Sequence, residues 1–156
     1  MTTATHIPTK LIKGQVIGAG PTVPFDTANI RCMMVVAGSS IPSSNSGGVL
    51  FVSDVTATNA EDTNIGARQN VTGVTVAFDA NGIQVDFSFS NIVYAQAGGD
   101  DGLSRYGIIF SQSGGAQDNA RPVLSILDLG QLVSVVNGSL TLQCPAGGLI
   151  QWTGGG

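Results

Sequence analysis

Apolar and polar residues alternate on both sides of an Asn-Gly pair in the middle of the chain, from Val74 to Phe89. Asn-Gly is the strongest local signal for a β-hairpin, because both residues tolerate a positive φ. With a two-residue turn at Asn81-Gly82, the expected cross-strand pairs are Ala80–Ile83, Phe78–Val85, Val76–Phe87 and Val74–Phe89. A four-residue loop would shift the register by two and leave the same residues on the same face. This stretch therefore predicts a half-buried antiparallel hairpin.

A second Asn-Gly pair, Asn137-Gly138, stands between two further alternating runs near the end of the chain. The cross-strand pairs that it predicts are Val136–Ser139, Val135–Leu140 and Val133–Leu142. In this register the apolar residues again share one face, which Cys144 continues.

Several shorter runs complete the pattern. Residues Ile30 to Ala37 are continuously apolar apart from Arg31, which predicts an interior strand buried on both faces. In Val123–Leu129, alternation assigns Val123, Ser125, Leu127 and Leu129 to one face and Leu124, Ile126 and Asp128 to the other. The remaining predicted strands are Asn91–Ala95, Tyr106–Phe110 and Leu149–Trp152, with a short strand or a turn of helix at Val49–Val55.

Eight or nine short strands separated by turns at intervals of about 8–12 residues are typical of an all-β protein. We expect an antiparallel β-sandwich of jelly-roll type, with a closed barrel as the alternative. One short helical segment is predicted at Ile7–Ile17. Residues 1–156 then form one domain, with 1–18 as an N-terminal arm that includes this helix and 154–156 as a flexible tail.

The composition narrows the functional classes. Charged residues make up 10% of the chain, against about 25% in an average soluble domain. A weakly charged surface is easily covered by protein, which suits a subunit packed into an assembly; the alternative is a stable β-domain with an uncharged surface. The six basic residues are scattered singly, so no basic patch for nucleic acid is predicted.

Targeting and cysteine chemistry give further expectations. The first residues, MTTATHIPTKLIKG, have neither the apolar core nor the cleavage site of a signal peptide. No apolar run approaches the length of a membrane span, so a membrane partner is not expected. Cys32 and Cys144 have no short metal-binding spacing and are predicted to be reduced and buried, without metal.

An enzyme is not predicted, and neither a catalytic residue nor a cofactor is assigned. The single histidine, His6, lies in the N-terminal arm, so neither a Ser-His nor a Cys-His nucleophile is expected. Asp54, Asp86 and Asp128 could form a carboxylate pair for sugar hydrolysis if they met in space. Each is better interpreted as an outward residue on a strand or at its end.

Two polar stretches and three aromatic residues complete the candidates. The polar residues of Thr56–Asn70 lack the alternating spacing of a calcium loop and predict a solvated loop, and Gly98–Gly102 predicts a turn. A carbohydrate-binding module is a rival interpretation, because sandwiches often carry one. Its candidate stacking residues are Trp152, Tyr94 and Tyr106, although a core role is favoured for Trp152.

The order of these segments resembles a family of small virion structural proteins of tailed bacteriophages. The segments that carry the resemblance are IRCMMVVA, NIVYA, RYGIIF, the strand ending in DLG, VNGSLTL and GLIQWT. The resemblance implies a non-enzymatic capsid decoration or cement protein that oligomerises, as a trimer, and binds the major capsid protein on the head surface after assembly in the host cytoplasm. The alternative is a component of a tail, neck or fibre. The candidate contacts with the shell are the N-terminal segment and the loops Gly38–Gly48 and Ser113–Ala120.

Overall fold

The computed structural model describes residues 4–6, 29–36, 51–57, 61–78, 84–95, 103–113, 115–144 and 150–153. For 4–6, 76, 78, 84–86 and 150–153 the description covers the backbone alone. The strands are β1 (Ala4–His6), β2 (Ile30–Val36), β3 (Gln69–Asn70), β4 (Thr75–Phe78), β5 (Gln84–Ser88), β6 (Ile92–Ala95), β7 (Ser104–Ser111), β8 (Val123–Val133), β9 (Ser139–Leu142) and β10 (Ile150–Thr153). A short helix, α1 (Val52–Thr56), and a 3-10 turn (Asp118–Ala120) complete this part of the chain.

The strands form three antiparallel sheets. The largest has five strands in the order β1-β8-β7-β2-β3; a second has the order β10-β5-β4, and a third pairs β6 with β9. The prediction of an all-β protein with antiparallel sheets and little helix is confirmed for the described residues.

The apolar run at Ile30 is an interior strand, as predicted. β2 lies between β7 and β3, and its side chains alternate between two separate apolar clusters. Cys32 and Met34 enter one cluster, whereas Met33 and Val35 enter the other. Burial on both faces explains why this strand has a continuous apolar sequence instead of an alternating one.

These two clusters lie on opposite faces of the five-stranded sheet. The first core combines that sheet with residues of β5, β6 and β9; its members include Ile30, Cys32, Met34, Ile65, Phe87, Phe89, Ile92, Tyr94, Ile109, Leu124, Leu127 and Leu142. The second core combines the other face with α1; its members are Met33, Val35, Val52, Val55, Tyr106, Ile108, Phe110, Val123 and Ile126. The segment Val49–Val55, left open between strand and helix, therefore contains a helix that covers a sheet.

The central hairpin has the predicted register. In β4 and β5, Val76 lies opposite Phe87 and Phe78 lies opposite Val85. Phe87 and Phe89 are buried in the first core. The turn at residues 79–83 lies outside the described residues. β10 extends this sheet by pairing with the other edge of β5.

The second predicted hairpin is wrong in its pairing. β9 pairs with β6, so that Leu142 lies opposite Ile92, and Val133 lies opposite Ser104 of β7. Asn137 has the positive φ, 49°, that an Asn-Gly turn favours. The apolar face was predicted correctly, because Val133, Val135 and Leu140 pack against the first core. Alternation determines which face of a strand is buried, but it does not determine which strand pairs with it.

Strict alternation also fails at the start of β8. Phe110 of β7 lies opposite Val123, and Ile109 lies opposite Ser125, so Leu124 is an extra residue at a bulge. As a result Val123 enters the second core and Leu124 enters the first, contrary to the predicted faces.

The N-terminal residues contribute a strand. Ala4, Thr5 and His6 lie opposite Asp128, Leu127 and Ile126 at one edge of the large sheet. His6, which was expected in the N-terminal arm, is therefore part of a paired strand. The predicted helix Ile7–Ile17, the loop Gly38–Gly48 and the turn Gly98–Gly102 lie outside the described residues.

Candidate association surface

The largest polar feature of the described surface is a cluster of two arginines and two carboxylates. Arg68 donates to both oxygens of Glu61 over 2.7–3.1 Å and to both oxygens of Asp118 at 2.7 and 2.9 Å. Arg121 donates a further bond of 2.9 Å to Asp118. The guanidinium carbon of Arg68 also lies 5.3 Å from the ring centroid of Phe110. We call Glu61, Arg68, Asp118 and Arg121 the ion-pair cluster.

The cluster joins two segments, 61–68 and 118–121, beside the second core. Glu61 forms an isolated bridge with Val35 of β2, and Asp118 begins the 3-10 turn. The carbonyl oxygen of Arg121 accepts a hydrogen bond of 2.9 Å from the amide of Val52 at the start of α1. Hydrogen bonds from Arg68 first, then from Arg121, hold the pKa of Asp118 below its ordinary value of 3.8. Bonds to Asp118 and Glu61 raise the pKa of Arg68, so its charge is permanent.

A second ion pair, between Arg105 and Asp128, lies at the point where the register between β7 and β8 shifts. Arg105 donates to the two oxygens of Asp128 at 2.8 and 2.9 Å, and the amide of Gly130 donates to Asp128 at 2.8 Å. Asp128 was predicted to face outward, but it is 5% exposed. The reason is local: Gly130 has a φ of 75°, which turns the chain so that its amide and Arg105 both reach the carboxylate.

Residues 61–70 are not the solvated loop that was predicted. Asp62 is 1% exposed, and its carboxylate accepts hydrogen bonds from the hydroxyl of Ser104 at 2.6 Å and from the amide of Asn64 at 3.2 Å. Ile65 is buried in the first core. The Asp-x-Asn spacing is the sequence signal for this Asx-type turn, and the lone apolar Ile65 is the signal for its burial.

The remaining described charges also have partners within the chain. Asp54 accepts a hydrogen bond of 2.8 Å from the amide of Phe51 at the start of α1, and Arg31 donates to Gln112 at 3.2 Å. The charged side chains that the structure describes with such a partner are Arg31, Asp54, Glu61, Asp62, Arg68, Arg105, Asp118, Arg121 and Asp128. Intramolecular bonds therefore use the charges of the described region, and little of its surface is left with an unpaired charge.

The clearest uncharged surface is the outer side of β6 and β9. Val93 and Ala95 are exposed there opposite Thr141 and Ser139, while the alternate residues of both strands point into the first core. Val93 is 49% exposed. We call Val93, Ala95, Ser139 and Thr141 the neutral face. Val136, which is 61% exposed, lies three residues before β9 begins.

The other candidate residues of the sequence are distributed over several elements. Tyr94 and Tyr106 are buried, which removes two of the three candidate sugar-stacking residues. Trp152 lies on β10, where the structure describes the backbone only. Asp54, Asp86 and Asp128 lie on three different elements, α1, β5 and β8. In the loop Ser113–Ala120, Asp118 is held by the ion-pair cluster, while Gly115 to Gln117 and Asn119 are exposed.

The two cysteines differ in environment. Cys32 is buried, as predicted, whereas Cys144 is only half-buried and packs against the same first core; both thiols are free. Among the described residues, no three of the His, Cys, Asp and Glu side chains are grouped as a metal ion would require.

Comparison with known proteins gives no relative: neither a family model, nor a curated protein, nor a solved structure matches this chain. A helix of the length and apolarity needed to cross a membrane does not occur in the described part. The neutral face and the internal pairing of charges are therefore the features of the described region that bear on function.

Proposed function

We propose that this chain is a non-enzymatic structural subunit of a bacteriophage virion. Its task is to decorate the head: copies associate with each other, as a trimer, and with the major capsid protein, and so stabilise the shell. The observation that carries the proposal is the neutral face, whose four exposed residues have no charge. Covering such a face costs little desolvation energy, because no ion has to lose its water.

The internal pairing of charges supports the same conclusion. The whole chain has six basic and ten acidic residues, and the charged side chains that the structure describes bind each other, backbone amides or neutral polar side chains. An enzyme or a binding module for ionic ligands keeps charged groups available at its site. In this chain the described charges instead tie strands and turns together and leave apolar and hydroxyl side chains for contact.

The assignment to a bacteriophage rests on the resemblance in segment order, and the architecture proposed with it is a β-sandwich of jelly-roll type. The first core supports two layers, because one face of the five-stranded sheet shares it with β5, β6 and β9. The short strands β1 and β3 are the edges of the large sheet, and the edges of a sheet need a cover that a neighbouring subunit can provide.

The proposal is tested by adding the purified chain to phage heads that lack it and sedimenting the mixture. We expect the chain to co-sediment with heads at a fixed ratio and to be oligomeric before it is added. A chain that stays monomeric at tens of micromolar and remains in the supernatant would contradict the proposal. Binding to isolated tails or necks instead of heads would replace it with the alternative of a tail or neck component.

A further inference from the structure

The edge strand β1 is held by one neighbour only. Its residues Ala4 to His6 pair with Ile126–Asp128 of β8, and β8 pairs with β7 on its other side. Ile126 belongs to the second core and Leu127 to the first, so β1 covers the backbone of β8 where both cores meet. β1 is thus an edge strand whose only hydrogen-bonded neighbour among the described strands is β8.

The connection from β1 to β2 is much longer than the distance it has to cover. In the order β1-β8-β7-β2, three steps of about 4.8 Å separate the two strands, or roughly 14 Å. Residues 7–29 connect them, and a chain of that length can reach about 75 Å when extended. Covalent geometry therefore allows β1 to reach the β8 of another molecule as easily as its own.

We propose that β1 is exchanged between copies, so that Ala4–His6 of one chain pairs with Ile126–Asp128 of a second chain in the assembled oligomer. The inference deepens the self-association proposed above and rests on it. Exchange keeps each backbone pair between β1 and β8 and changes only which molecule supplies the strand, so it joins subunits at low cost. If each chain passes β1 to the next around a ring, the oligomer is closed and each β8 keeps a neighbour on both sides.

Exchange is also compatible with the net charge of −4 that each copy has. Backbone hydrogen bonds in a sheet are insensitive to the net charge of the subunits, and addition of a strand to a sheet edge is a common mode of recognition. Because exchange conserves the hydrogen bonds between β1 and β8, the net free energy of association has to come from other contacts, such as the neutral face, while β1 links the copies physically.

The test places a photo-crosslinking residue at Ala4 in one variant and at Thr5 in another, so that both faces of the strand are sampled. Each variant is prepared with and without uniform ¹⁵N, the two preparations are unfolded, mixed and refolded, and the oligomer is irradiated. Mass spectrometry then identifies crosslinks between residues 1–6 and residues 123–133. Exchange predicts a large share of peptide pairs with one ¹⁵N and one ¹⁴N partner, and covalent dimers on a denaturing gel.

Two control experiments distinguish strand exchange from random contact between molecules. A crosslinker at Ala57, an exposed residue after α1, reports random collision and should give few mixed-isotope pairs. The double substitution Thr5→Pro/His6→Pro removes two successive backbone donors, one of which faces β8, and should convert the oligomer to monomers, whereas Thr5→Val/His6→Val should not. Crosslinks confined to one isotope within a stable oligomer would overturn the exchange and leave the proposed function intact. A protein that is monomeric before and after mixing would overturn the exchange together with self-association.

Discussion

The hydroxyl of Tyr94 donates a hydrogen bond of 2.8 Å to the carbonyl oxygen of Cys32, and both residues are completely buried. Tyr94 lies on β6 and Cys32 on β2, so this bond connects the two-stranded sheet to the five-stranded one through the first core. A buried tyrosine hydroxyl needs such a partner, because its desolvation is costly when no hydrogen bond replaces water. The bond therefore helps to fix the position of the neutral face, which lies on the other side of β6.

Tyr94→Phe should lower the free energy of unfolding by about 1–3 kcal/mol, because the carbonyl of Cys32 loses a buried donor while the ring volume is kept. Urea unfolding followed by circular dichroism measures the change. Tyr94→Leu, which also removes ring volume, should cost more than Tyr94→Phe. If Tyr94→Phe were as stable as the natural chain, the hydrogen bond would contribute nothing to joining the sheets.

Stability should fall at alkaline pH. Burial raises the pKa of the Cys32 thiol from its ordinary value of 9.0 to about 12, and it also raises the pKa of Tyr94. At a pH between the unfolded and the folded pKa of Cys32, the folded chain keeps the thiol proton that the unfolded chain has released. The free energy of unfolding therefore decreases as pH rises from about 9 to 12. Urea midpoints at several pH values measure this slope. Cys32→Ala should reduce the slope although it lowers stability at neutral pH.

The same burial predicts the order of thiol reactivity. The thiolate is the reactive form, so Cys32 should react slowly with a thiol reagent in the native protein, while the half-buried Cys144 should react faster. The single variants Cys32→Ala and Cys144→Ala assign the two rates, and denaturant should make both thiols react completely. Faster labelling of Cys32 than of Cys144 in the native protein would contradict the packing of the first core.

Arg68→Lys should destabilise the fold by about 1–2 kcal/mol, because one ammonium group cannot replace five bonds from a planar guanidinium to Glu61 and Asp118. The control is Arg31→Lys, which changes a single bond to Gln112 and should cost less than about 0.5 kcal/mol. Equal effects of the two substitutions would show that the ion-pair cluster contributes no more to stability than the single hydrogen bond of Arg31.

Acid should weaken the same cluster. The folded-state pKa of Asp118 is lowered, so its contribution is complete above about pH 4, where the unfolded carboxylate is ionised, and is lost as pH falls below that value. In acid titrations followed by fluorescence or circular dichroism, Asp118→Asn should therefore lose less stability than the natural chain. An unchanged acid transition in Asp118→Asn would contradict this account.

Phe87→Ala should cost about 3–5 kcal/mol, because Phe87 is buried in the first core at the predicted hairpin position. Val93→Ala, on the exposed side of β6, should change stability by less than about 0.5 kcal/mol. Thermal or urea unfolding compares the two. A loss below about 1 kcal/mol for Phe87→Ala would mean that the hairpin buries its other face.

Local patterns predicted the faces of strands better than their partners. The pairing of Val76 with Phe87 followed from a short turn, and a short turn limits the possible registers. The pairing of Val133 with Leu142 failed because β7 and β6, which are distant in the sequence, provide their partners instead. Periodicity contains no information on such competition between strands.

The polar contacts were hardest to predict. The burial of Asp128 depends on Arg105 and on the backbone of Gly130, and the ion-pair cluster joins residues 61–68 to 118–121 across the fold. Sequence reasoning treated these charges singly and expected an outward aspartate and a solvated loop. The few charged side chains that the structure describes are used within the chain.

Association should depend on apolar contact and backbone pairing and not on ions. If the neutral face is covered in the assembly, Val93→Asp places an unpaired carboxylate in a desolvated interface and should weaken oligomer formation or head binding at least tenfold. The fold should remain intact because Val93 is exposed in the single chain. Val93→Thr, which keeps the branched shape, and Thr72→Asp, which adds the same charge at an exposed residue outside the face, are the matched controls.

Binding should also persist when salt rises from about 0.1 M to 1 M, since screening acts on exposed charges and the face has none. Full binding by Val93→Asp, or loss of natural binding in high salt, would show that another surface makes the contact.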